Sequence, residues 1–128
     1  MSAMSDFLEL EVLDHVLGTG SYTMPTTVRI GLSTGSFGDD NSGTELTGNG
    51  YARQAITFAA ASSGSAATNA TVTFPTATGS WGSVGFWGIF DAASGGNLLV
   101  HGAFDSAKTI GTGDVFRINS GDLTVTAA

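Results

Sequence analysis

Apolar residues recur at Phe7, Leu8, Leu10, Val12, Leu13, Val16 and Leu17, a spacing that predicts a short helix. Ser5 stands at the N-cap position, and Asp6 and Glu9 fall in the first turn, where the helix dipole favours carboxylates. Gly18 supplies the stop. On a helical wheel Glu11, Asp14 and His15 group on one side, and the apolar set covers more than half the circumference. That is wider than the stripe a surface helix needs to sit on its own core. The helix is therefore expected to be covered from two sides, by the domain's own sheet and by a neighbouring subunit.

After Gly20 the period changes to that of strands. Val28, Ile30 and Leu32 alternate with Thr27, Arg29 and Gly31. Residues 33–50 are rich in Gly, Ser, Asp, Asn and Thr and read as a long loop, closed by the turn signal Asn49-Gly50. Residues 51–58 alternate again, 59–68 are small and polar and read as a connection, and 70–74 form a short strand that Pro75 ends. Residues 81–90 and 98–104 flank a Gly-rich turn and predict a hairpin. Short strands follow at 108–110, 115–118 and 123–126. The pattern predicts a mainly β fold, an antiparallel β-sandwich or jelly roll of about seven to eight short strands with a short N-terminal α-helix. One domain is expected, with residues 1–20 as arm and helix and 27–128 as the sandwich.

Composition narrows the function. The 128 residues carry 12% charged side chains, about half the usual share. Four basic against eleven acidic residues give a net charge of −7, which argues against binding nucleic acid. No apolar run approaches the ~18 residues of a membrane span, so no membrane partner is expected, and no secretory signal is evident. The absence of Cys removes disulfide and thiolate chemistry and suits a reducing compartment. Eight Phe and two Trp must do much of the burying, so the core is expected to be thin and to gain stability from association.

Little else carries chemistry. His15 and His101 are the two histidines, and no G-x-S-x-G elbow accompanies them. Asp39-Asp40-Asn41-Ser42-Gly43 with Glu45 departs from the spacing of a calcium loop, so a solvated loop is expected and no metal or cofactor. Gly18-Thr19-Gly20 follows a helix and is no dinucleotide fingerprint. Phe86 and Trp87 are adjacent, so in a regular strand one enters the core and the other meets the helix, a bulge or a partner.

Several separated stretches resemble small tailed-phage virion proteins of the tail-fibre or capsid-decoration type. They are residues 14–19 with Tyr22-Thr23-Met24-Pro25, Gly50-Tyr51-Ala52-Arg53-Gln54, Val72-Thr73-Phe74-Pro75 with Ser80-Trp81-Gly82, and Gly88-Ile89-Phe90-Asp91 through Leu99. Gly113-Asp114 and Gly121-Asp122-Leu123 complete the pattern. The resemblance implies a non-enzymatic virion protein. The expectation is a decoration or cement protein on the capsid exterior, binding the major capsid protein as a homo-oligomer, a trimer at threefold positions. The alternative is a tail-fibre or tail-tip module that recognises a host surface glycan by stacking on Trp81 or Trp87. The contact residues expected from the sequence are Phe7, Leu8, Val12, Tyr51, Arg53, Trp81 and Trp87.

Overall fold

A computed structural model describes residues 2–126. Helix α1 spans Asp6–Val16. The strands are β1 (Ser2–Met4), β2 (Val28–Ser33), β3 (Gln54–Ile56), β4 (Ser65–Ala67), β5 (Val72–Thr73), β6 (Gly82–Phe90), β7 (Leu98–Ile110), β8 (Arg117–Ile118) and β9 (Thr124–Thr126). The central element is a five-stranded antiparallel sheet in the order β1-β7-β6-β2-β3, joined by the two-stranded pairs β4-β9 and β5-β8. The fold is mainly β with one short helix, as the alternation along the chain requires.

Sequence period sorts the two faces of the large sheet. Ile30 and Leu32 of β2 alternate with Gly31 and Ser33, and opposite them Trp87 and Ile89 of β6 alternate with Gly88 and Phe90. The first set lies in the main core with Ile56, Val72, Phe74 and Trp81. The second face carries a smaller cluster of Phe37, Phe90 and Leu98. Aromatic rings meet edge-on in the main core at Phe74 with Phe116, 5.7 Å between centroids, and at Tyr51 with Trp81, 5.6 Å, while Tyr51 stacks on Phe74. Such pairs add to the burial of their area.

Three elements differ from the sequence expectation. The segments expected as strands at 98–104 and 108–110 are one strand, β7. Phe86 pairs with Ala103 and Val84 with Lys108, which leaves Gly85 opposite residues 104–107. This bulge holds polar residues, Asp105 and Ser106, that read as a loop. Strand β4 lies in the segment expected to be a connection; Phe58 bridges Thr68, and Ser63 and Gly64 take φ of 52° and 80° to turn the chain. Strand β1 pairs with the outer edge of β7 through Ser2–Gly102, Ala3–His101 and Met4–Val100, and neither short strand has an apolar period of its own.

Candidate functional site

The start of α1 is tied to the sheet. The Ser5 hydroxyl accepts the Leu8 N–H at 3.2 Å and donates to the Leu98 carbonyl. The Ser5 N–H donates to Leu99 O at 2.8 Å, and the Asp6 N–H to Asp39 O at 2.8 Å. At the other end Gly18 takes φ of 79°. The N–H groups of Thr19 and Gly20 then close on Asp14 O at 2.8 and 3.0 Å. The Tyr22 N–H donates to His15 Nδ1 at 3.2 Å, so this histidine accepts from the backbone.

Within the chain α1 is covered from one side only. Phe7, Leu8, Glu11 and Val12 are only half-buried, and no residue of the helix is fully buried. Leu10, Leu13, Val16 and Leu17 are 64%, 54%, 71% and 71% exposed. They follow one another at the spacing of successive helical turns and share one side of the helix. The domain's own sheet supplies partial cover, and the opposite side is bare apolar surface. Beside it runs an open groove of about 660 Å³, lined by Met4, Asp6, Glu9, Leu10, Val12 and Leu13.

The expected contact residues fall into three groups. Phe7, Leu8 and Val12 are half-buried and do not form the bare face; of the three only Val12 lines the groove beside it. Trp81 and Trp87 are 5% and 2% exposed and belong to the core, which corrects their expected role in meeting a partner or a sugar. Trp87 takes the core side of β6 and Phe86 the other side, half-buried. The Trp81 Nε1–H donates to Asn49 O at 2.9 Å, so its polar edge is satisfied as well.

Tyr51 and Arg53, expected as contact residues, are engaged within the chain. Arg53 forms a two-pronged pair with Glu45, Nε to Oε2 at 2.9 Å and the NH2 nitrogen to Oε1 at 2.8 Å. Its NH1 nitrogen donates to the carbonyls of Ala92 and Gly95 at 2.9 and 2.8 Å. The Tyr51 hydroxyl donates to Glu45 Oε2 and accepts the Leu32 N–H at 2.9 Å. Burial, then the Glu45 carboxylate, push the Tyr51 hydroxyl far above its usual range. These bonds clamp the 33–50 loop, the approach to β3 and the 91–97 turn together.

The acidic loop offers no cation cage. Asp39 pairs with His101 Nε2 at 2.6 Å, Asp40 accepts the Ser42 N–H at 3.1 Å, and Glu45 is held by Arg53. The bonds from Ser42 hold the Asp40 carboxyl below its ordinary range. Among the described residues no three His, Asp or Glu side chains stand where they could hold a metal ion. No described helix is long and apolar enough to cross a membrane.

The face that sequence reasoning missed, residue by residue, is Leu10, Leu13, Val16 and Leu17. The signal was the excess width of the apolar arc; the direction in which the helix would turn was not in it.

Residues 3–126 match the family described as podophage GP4 fiber I protein gp80, and the chain belongs to this family of phage structural proteins. No curated protein matches the chain.

Proposed function

We propose that this fibre-family member is a non-enzymatic structural subunit of the virion that seats on a neighbouring particle protein through the outward face of α1. The observation that carries the reading is the grouping of exposed apolar side chains on that one face, beside covered aromatic residues and closed ion pairs. Leu10, Leu13, Val16 and Leu17 stand more than half exposed, while the tryptophans are covered and the Arg53–Glu45 pair is closed on itself. Bare apolar surface of this kind on a folded domain marks a contact with another protein. The family description supports a fibre-type position on the particle.

A second reading places the protein on the capsid exterior as a decoration protein, bound to the major capsid protein with three copies around a threefold axis. The same face favours it, because a cement needs a ready-made adhesive surface across a seam between subunits. Stable seams bury on the order of 1,600 Å². Both readings predict a protein found in mature particles.

Cryo-imaging of particles made with and without the gene separates the positions. Difference density at the tail or its fibres supports the first reading, and density over the shell the second. A protein absent from purified particles overturns both.

A further inference from the structure

The structure assigns a chemistry to the partner: we infer that the outward face of α1 docks on an apolar protein surface bordered by lysine and arginine. The inference rests on the reading above and adds the partner's character.

Three observations carry it. Leu10, Leu13 and Leu17 occupy the i, i+3 and i+7 positions of one helix face, the anchors used when an amphipathic helix enters an apolar groove. The carboxylates of Asp6, Glu9 and Asp14, all exposed, lie on this same side of the helical wheel and thread or flank the leucines. No Lys or Arg occurs in the chain before Arg29, so the helix brings no cation of its own to neutralise them.

These charges choose between occupants. A second copy laid face to face on this helix would press carboxylates against carboxylates in a chain of net charge −7. A surface with cations around an apolar floor meets both needs, as complementary rims set register and on-rate while the leucines supply the buried area. The geometry is also preorganised. Hydrogen bonds of Ser5 and Asp6 fix the helix to β7 and the 33–50 loop, so little chain ordering remains for the encounter.

The test uses full-length protein and particles assembled in its absence. Wild-type protein is expected to rebind such particles with an affinity that falls as NaCl rises. Leu13→Glu should lower rebinding at least tenfold. Glu9→Lys should lower it severalfold and flatten the salt dependence. Circular dichroism and melting should leave both variants folded, because the altered side chains are exposed. Undiminished rebinding of Leu13→Glu, or wild-type rebinding indifferent to salt, overturns the inference while leaving a virion role intact. A Leu13→Glu variant that rebinds normally but loses self-association in sedimentation makes a second copy the occupant and also overturns it. Failure of wild-type protein to bind, together with its absence from native particles, defeats the virion reading itself.

Discussion

The guanidinium carbon of Arg53 lies 3.6 Å from the centre of the Phe90 ring. Two glycines create the space for this stack. Gly31 and Gly88 face one another across the β2–β6 ladder. A Cβ on Gly31 would stand 2.6 Å from Glu45 Oε2, and one on Gly88 would stand 2.9 Å from Leu98 Cδ1. The sheet is thus thinned at the place where a charged group packs down on an aromatic ring, with Glu45 beside it. Aromatic stacking and a two-pronged carboxylate reward a flat guanidinium and not a spherical ammonium.

Arg53→Met should therefore destabilise the protein by about 3 kcal/mol, because Glu45 is left largely buried without its counter-ion. Arg53→Lys should cost less, about 1–2 kcal/mol, since the charge survives but the fork and the stack do not. Urea midpoints of the two variants check the order. An Arg53→Lys variant as unstable as Arg53→Met would show that charge contributes little here.

Gly88→Ala tests the thin place in the sheet. Its new methyl would also meet Phe90 at 3.1 Å and Phe37 at 3.2 Å. Overpacking of this kind costs about 1–3 kcal/mol. A melting curve should show a lower midpoint, whereas Gly95→Ala, with open space around it, should show only the strain of its positive φ.

Much of this fold could be read from the chain, for identifiable reasons. The alternation in β2 and in β6 marked strands because one face is filled by Ile30, Leu32, Trp87 and Ile89. The helix was marked at both ends because Ser5 and Gly18 act through local bonds. Strands β1 and β4 were hidden because partners distant in sequence define them: Ala3 opposite His101, and Ala66 opposite Val125. The exposed face of α1 was half legible. An apolar arc too wide for one cover pointed to a partner, but the sheet's position decides which leucines turn outward. The Arg53–Glu45–Tyr51 clamp was invisible as a clamp, since Glu45 sits in a loop whose path no periodicity records.

The two tryptophans should report a closed core. Both indoles are almost wholly covered, so native emission should be blue-shifted and insensitive to iodide. Trp87→Ala should cost about 3–5 kcal/mol through lost burial and the cavity left behind. Strong iodide quenching of the native protein would contradict the packing of β6 against the core.

The tyrosines give the pH dependence. Both hydroxyls are raised above the model-peptide value of 10.0: Tyr51 by burial and then its bond to Glu45, and Tyr22 by burial and then the carboxylates of Asp91 and Glu11. A raised pKa means that the folded state keeps its proton where the unfolded chain has lost it. The associated stability is whole below pH 10 and declines above it, at up to about 1.4 kcal/mol per pH unit for the largely buried Tyr51. Tyrosinate absorbance at 295 nm should thus lag a free-tyrosine titration until the protein unfolds in alkali. Tyr51→Phe should be less stable at pH 8, because the Leu32 N–H loses its acceptor, at about 1–3 kcal/mol. It should then lose less stability than the wild type between pH 10 and 11.5. Wild-type and variant curves that stay parallel across that interval would mean that the Tyr51 proton is not held by Glu45 and by burial.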